Sequence, residues 1–204
     1  MSVPAMNTHA APSSGVRPFA LRTLALLAPA FAVWYFAAPL LLFPAFLILR
    51  AVAYLGFGGL VRGVEESGAI VTFVTTLHSA GNGMAGLVTV DVNLLLYSFG
   101  LPLLAALTLA AHERRYKRHL AIGYAVLMPV VAFGAFADFL KNVAITSGAA
   151  VASQTGFVAW QREAIAFAFQ FGSLILPAVT PAVLWIGMHR GFLTAVRDRP
   201  PARV

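Results

Sequence analysis

A chain of 204 residues that is 60% hydrophobic and only 10% charged cannot cover itself with polar side chains in water, because soluble domains carry about 25% charged residues. The composition therefore predicts a membrane protein with membrane lipid as its main surrounding. The formal net charge of +7 does not indicate nucleic-acid binding, because the basic residues form no stripe with interleaved aromatic side chains.

The apolar segments predict an all-α membrane protein with four transmembrane helices, since one crossing needs about 20 mostly apolar residues. Residues 1–16 are small, polar and proline-containing, and they predict a disordered N-terminal tail. The first apolar segment contains Pro29, Pro39 and Pro44 and is longer than one crossing needs, so we expect it to tilt, kink or continue along the membrane surface. The predicted crossings are residues 19–49, 94–111, 120–140 and 164–188.

The least membrane-like segment is residues 50–93, between the first two predicted crossings. Its runs AIVTFVTTL and GLVTVDV are rich in Val and Thr and flank a loop of turn-forming residues, which predicts a β-hairpin. The preceding RAVAYLGFGGLVRGVEES predicts a short amphipathic helix at the membrane surface. We expect this insert to form a small extracytoplasmic cap that is supported by the helices or by a partner.

A dense basic cluster, HERRYKRH at residues 112–119, separates the second and third predicted crossings. Cytoplasmic loops carry the excess of Lys and Arg, so the cluster predicts a cytoplasmic loop and cytoplasmic N- and C-termini. Residues 17–193 are then the four-helix membrane domain, and residues 194–204 are a basic cytoplasmic tail. Binding of anionic lipid headgroups is the alternative role. The residues concerned are Arg114, Arg115, Lys117 and Arg118.

Polar residues concentrate at the predicted outer ends of the helices. Asp138 and Lys141 are three residues apart, which suits a salt bridge on one helix face, and Arg162 and Glu163 are expected at the same level under the hairpin. The simpler interpretation of Glu163 is that its negative charge in the first helical turn is stabilised by the helix dipole. The intramembrane Gln170 instead favours a functional role for the polar residues of this helix. The candidates for contact with a partner or substrate are Asn93, Tyr97, Asp138, Lys141, Gln161, Arg162, Glu163 and Gln170.

Several kinds of chemistry have no support in the sequence. The chain has no cysteine, which excludes thiol catalysis and thiolate metal sites. Its five histidines do not lie deep in a predicted crossing, and no Gly-rich phosphate loop, HExxH or GxSxG motif occurs. We therefore predict no catalytic residue, no cofactor and no metal ligand.

Three strings carry a resemblance to a known family: NLLLYSFGLPLLAALTLA, AFGAFADFLKNVAI and GFVAWQREAIAFAFQFGSLILPAVTPAVLW. With the N-terminal AVWYFAAPLLLFPAFLI and the following VRGVEE, the chain over residues 20–193 resembles the exosortase H-associated membrane proteins. The resemblance implies a bacterial inner-membrane protein in a system where an exosortase cleaves proteins with a C-terminal sorting tail. Exosortases resemble cysteine transpeptidases, so a chain without cysteine is expected to be an accessory.

The favoured hypothesis is a non-catalytic accessory protein that docks the transpeptidase or its sorting-tail substrate. A structural small subunit of another membrane complex is the first alternative. An outer-leaflet membrane enzyme using Glu163 or Asp138 as acid or base is the second.

Overall fold

The computed structural model describes residues 16–81, 84–191 and 194. The predicted N-terminal tail therefore lies outside the described residues except for Val16, and so does the predicted C-terminal tail except for Thr194. Four described helices are long and apolar enough to cross a membrane: Arg17–Phe36, Ala38–Phe57, Tyr116–Thr146 and Ala159–Met188. Leu95–Ala110 is a shorter apolar helix. The chain is thus a mainly helical membrane protein with a small sheet.

The helices are α1 (Val16–Phe36), α2 (Ala38–Phe57), α3 (Leu95–Ser98), α4 (Gly100–Ala110), α5 (Tyr116–Lys141), α6 (Ala149–Gln154), α7 (Ala159–Gln170) and α8 (Leu176–Met188). Two π-helical segments, Asn142–Thr146 and Phe171–Ile175, follow α5 and α7 directly. The third and fourth predicted crossings correspond to α5 and α7–α8, which belong to the four long apolar helices. The second, residues 94–111, corresponds to α3–α4, which is shorter than those four.

The first predicted crossing, residues 19–49, is made of two helices, because the helix breaks at Ala37 between α1 and α2 and α2 continues to Phe57. A kink was one of the outcomes expected from its prolines. Pro39 follows the break, and proline lacks an N–H and crowds the preceding turn. The Leu41 N–H still donates to the Ala37 carbonyl at 2.9 Å, so the break is a kink rather than a loop.

The α1–α2 pair leads from one end of the helix bundle to the other. Phe19 near the start of α1 stacks on Trp185 of α8, with ring centroids 5.4 Å apart. Phe57 at the end of α2 packs on Phe136 of α5 at 4.9 Å, and Phe136 also meets Phe73 of the sheet. The two helices together therefore run from the end that carries the basic cluster to the end that carries the sheet.

The insert forms a three-stranded antiparallel sheet in the order β1 (Val61–Ser67), β2 (Ile70–Gly81), β3 (Met84–Asn93). Strands β2 and β3 are the two Val/Thr-rich runs, and they pair as the predicted hairpin. The predicted amphipathic helix before it is wrong, because its first half continues α2 and its second half is β1. Val61 and Val64 are three apart, as on a helix face, but a β-bulge between Val61 and Gly63 lets both face inward.

The main core lies where the sheet meets α2 and α5. Phe73 of β2 stacks on Phe139 of α5 at 4.3 Å, and both side chains are fully buried. Leu42 and Leu49 of α2 belong to the same cluster. The sheet therefore lies directly on the helices, as expected for an insert too small to be stable alone.

Candidate functional site

The end of α5 beneath the sheet carries an enclosed ion pair. Lys141 Nζ lies 2.9 Å from Asp138 Oδ1, and the two side chains are 25% and 13% exposed. The Asn142 side-chain amide donates to the same oxygen at 3.0 Å and to the Asp138 carbonyl at 2.9 Å. The carboxylate thus has a cation and a neutral donor, as a buried charge requires.

Two aromatic residues from other helices complete this site. The buried Tyr97 side chain of α3 lies beside the Asp138 carboxylate, and Lys141 Nζ lies 4.0 Å from the centroid of the Phe169 ring of α7. A cation over an aromatic face gains about 0.5–2 kcal/mol. The ion pair therefore joins three helices, and each π-helical segment begins next to it. Such segments are frequent at functional sites.

One face of α7 and of the π-helical segment after it is largely exposed in the described part of the chain. Trp160, Phe167 and Leu174 are 67%, 68% and 70% exposed, and Glu163 and Gln170 between them are also exposed. Neither polar side chain has a hydrogen bond or ion pair with a described residue. The spacing of three and four residues places all five on one stripe, which we call the α7 face.

An apolar cavity of about 590 Å³ lies between α1, α2, α4 and α5. Trp34 and Tyr124 are in its wall, and each directs its polar atom to the protein: Trp34 Nε1 donates to Ser98 Oγ at 3.1 Å, and the Tyr124 hydroxyl donates to the Leu41 carbonyl at 2.7 Å. The remaining lining residues are aliphatic or proline. The cavity suits an acyl chain or an apolar side chain rather than a polar reaction.

The family model for exosortase H-associated membrane proteins matches residues 13–192. The chain belongs to this family. No curated protein and no solved structure matches the chain. The family description makes the chain a membrane protein associated with exosortase and bears out the resemblance seen in the sequence.

In this exosortase H-associated protein, the polar residues predicted for partner contact separate into three groups. Tyr97, Asp138 and Lys141 come together in the enclosed site. Glu163 and Gln170 lie apart from it on the α7 face. The expected cluster of Arg162 and Glu163 with the ion pair is not formed by direct contact in the described part of the chain.

The third group has local structural contacts. Asn93 Oδ1 accepts the Leu95 N–H at 3.0 Å at the start of α3. Gln161 Oε1 accepts the Val158 N–H at 3.0 Å at the start of α7. Arg162 Nε donates to the Phe157 carbonyl at 3.1 Å, and its Nη2 donates to the Ala152 carbonyl at 3.4 Å. These contacts fix helix starts and the α6–α7 connection. All four Arg and Lys residues of the basic cluster are exposed: Arg114, Arg115, Lys117 and Arg118. This exposure is compatible with a cytoplasmic loop and with binding of anionic lipid headgroups.

Sequence reasoning missed a cluster at the other end of the bundle. Glu113, His119 and His189 bring a carboxylate oxygen and two imidazole nitrogens within 4.8 Å of one another. His189 is fully buried. The available signal was that HERRYKRH contains two His and a Glu and that a His directly follows α8. The two parts of the cluster are about 70 positions apart, and only the packing of α8 beside α5 joins them.

Proposed function

We propose that this protein is a non-catalytic accessory of a bacterial inner-membrane exosortase system and that it docks the exosortase through the α7 face. The observation that carries the proposal is Gln170, an exposed amide on an apolar helix. It lies eleven residues after Ala159, which is about 16 Å along a helix.

A lipid-facing amide at this depth is unfavourable, because hydrocarbon offers it no hydrogen bond. A polar group from a neighbouring helix would satisfy it, and interhelical hydrogen bonds of this kind contribute roughly 0.6–2 kcal/mol. The exposed Trp160, Phe167 and Leu174 would supply the packing around that bond. These three side chains recur every seven residues, and Glu163 and Gln170 each follow three residues after one of them, which is the spacing of a helix–helix seam.

The family description names an exosortase, which supports the transpeptidase as the occupant. The C-terminal sorting tail of a substrate is the alternative occupant. Catalysis by this chain has weaker support. Asp138 is held by Lys141 and Asn142 in an enclosed site, and Glu163 has no neighbouring acid or base in direct contact among the described residues.

The experiment is photocrosslinking in the native membrane. A photoreactive residue replaces Gln170 in one variant and Val183, an exposed position on α8, in a matched control. The proposal expects a crosslink to the exosortase from position 170 and a much weaker one from position 183. A crosslink to a sorting-tail protein would move the docking role to the substrate. A crosslink to subunits of an unrelated complex, or equal labelling from both positions, would overturn the proposal.

A second variant tests whether the contact matters for sorting. Gln170→Leu removes the amide but keeps the apolar bulk, so the amount of protein in the membrane should not fall, because the amide has no internal partner. Co-purification with the exosortase and processing of a sorted substrate should both decrease. Unchanged co-purification and processing would show that the amide does not carry the contact.

A further inference from the structure

The cluster of Glu113, His119 and His189 joins the α4–α5 turn, the first turns of α5 and the end of α8. We propose that it binds a divalent transition-metal ion of the zinc class, with His119 Nδ1, His189 Nε2 and a Glu113 carboxylate oxygen as ligands. This site is separate from the α7 face and does not depend on the docking role.

The positions of the ligand atoms suit such an ion. His119 Nδ1 and His189 Nε2 are 3.3 Å apart, and tetrahedral zinc with bonds of about 2.0–2.1 Å separates two nitrogen ligands by roughly 3.3 Å. Glu113 Oε2 lies 3.7 Å from His119 Nδ1, so a small rotation of a flexible, partly exposed side chain brings it to bonding distance. Two imidazoles and a carboxylate are ligands that zinc and related ions prefer.

Trp185 fixes the orientation of the His189 ring. Its Nδ1 lies 3.0 Å from the Trp185 carbonyl, an acceptor, so Nδ1 carries the proton and Nε2 presents its lone pair to His119. Metal-binding histidines commonly hold their second nitrogen in this way. Trp185 also stacks on the His189 ring, with centroids 5.1 Å apart and an interplanar angle of 18°. These contacts preorganise the fully buried His189 imidazole for binding a metal ion.

A proton occupies the ligand position in the metal-free arrangement. Because His189 Nε2 accepts, His119 Nδ1–H is the donor of the 3.3 Å contact, and the Glu113 carboxylate lies beside the same proton. Metal binding would move the His119 ring proton from Nδ1 to Nε2 by exchange with solvent, so that the imidazole stays neutral, and would form a bond from each of the three ligand atoms. A fourth position would remain for water.

The charges near the cluster decide how strongly it binds. Glu113 supplies one negative charge, whereas Arg115 and Arg118 act on His119 through space. Both arginines are exposed, so water and salt screen their repulsion of a cation. Water and salt screen the buried His189 nitrogen and the nearby Glu113 carboxylate much less. The cluster is therefore expected to attract a cation overall.

The test uses the full-length protein in detergent, purified with an affinity tag that contains no histidine. Zn²⁺ binding is measured by equilibrium dialysis with elemental analysis, and Co²⁺ quenching of tryptophan fluorescence reports on Trp185. We expect one Zn²⁺ per chain, a raised Tm with Zn²⁺ and quenching by Co²⁺. In His119→Gln and in Glu113→Gln, Zn²⁺ affinity should fall at least about 100-fold, since removing a supporting residue alone typically costs about 10–100-fold.

His78→Ala is the matched control, because His78 is exposed on β2, away from the cluster. It should bind Zn²⁺ as the unaltered chain does. Glu113 is partly exposed, so Glu113→Gln is expected to fold. Its Zn²⁺ affinity can therefore be measured even if His119→Gln fails to fold. No Zn²⁺ binding by the unaltered chain, or equal binding by it and by Glu113→Gln, would overturn the proposal.

Discussion

Gly172 of the second π-helical segment lies directly against the backbone of Gly134 in α5: a Cβ atom on Gly172 would come within 2.8 Å of the Gly134 Cα. A Cβ on Gly134 would in turn come within 2.6 Å of the Tyr97 ring and 2.8 Å of the Gly172 carbonyl. Small residues allow such close approach between membrane helices. The contact sets the distance at which Tyr97 reaches Asp138 and Phe169 reaches Lys141.

Gly172→Ala should therefore lower the free energy of unfolding by about 1–3 kcal/mol, the usual cost of overpacking, because backbone rather than a flexible side chain meets the new methyl group. Denaturant unfolding in detergent measures the change. Gly187→Ala in α8 is the matched control, since a Cβ there meets nothing within 4 Å, and it should be neutral or stabilise by about 0.5–1 kcal/mol. Equal stability of the two variants would contradict the close packing.

The Asp138–Lys141 pair makes a second prediction. Lys141→Met leaves the Asp138 carboxylate, only 13% exposed, without its cation. Breaking a fully buried pair costs about 3–5 kcal/mol, and the partial exposure of this one reduces the expected loss to roughly 2–3 kcal/mol. The same denaturant measurement tests it.

The double variant Asp138→Asn/Lys141→Met is the control for the ion pair, because it removes both charges. It should recover part of the stability lost in Lys141→Met, so that the two changes are not additive. Strict additivity would mean that the two side chains do not interact in solution.

Glu66 in β1 makes a prediction about pH. Burial raises the pKa of Glu66 above its ordinary value of 4.5. Between the ordinary and the raised pKa the folded chain binds more protons than the unfolded chain, so stability falls as pH rises through that window. Glu66→Gln should reduce this fall, measured as Tm from below pH 4.5 to neutral pH.

The matched control for this measurement is Glu65→Gln, which removes an exposed carboxylate from the same strand. A Glu66→Gln profile that follows the unaltered chain over the whole pH range would show that Glu66 is not desolvated in the fold.

Composition and apolar runs predicted the class of protein, and the Val/Thr-rich runs predicted the hairpin, because both follow from local patterns. The prolines of the first apolar run allowed a kink but did not fix its place at Ala37, since a proline in such a run is compatible with several outcomes. The strand at Val61–Ser67 was not predicted, because the β-bulge after Val61 gives the buried valines the spacing of a helix face. Within the candidate site, the Asp138–Lys141 pair was readable from its spacing of three residues. The contacts of Tyr97 with Asp138 and of His119 with His189 depend on how segments far apart in the sequence pack together. Local sequence patterns do not predict such contacts.

The sidedness of the chain remains a prediction, and it can be measured because the chain has no cysteine of its own. The structure carries the sheet and the basic cluster at opposite ends of the bundle, and basic loops favour the cytoplasm. In intact spheroplasts, His78→Cys in the sheet should therefore react with an impermeant thiol reagent, whereas Lys117→Cys in the basic cluster should react only after lysis. Both positions are exposed, so a difference between them reflects the membrane rather than burial. The reverse pattern would place the sheet in the cytoplasm.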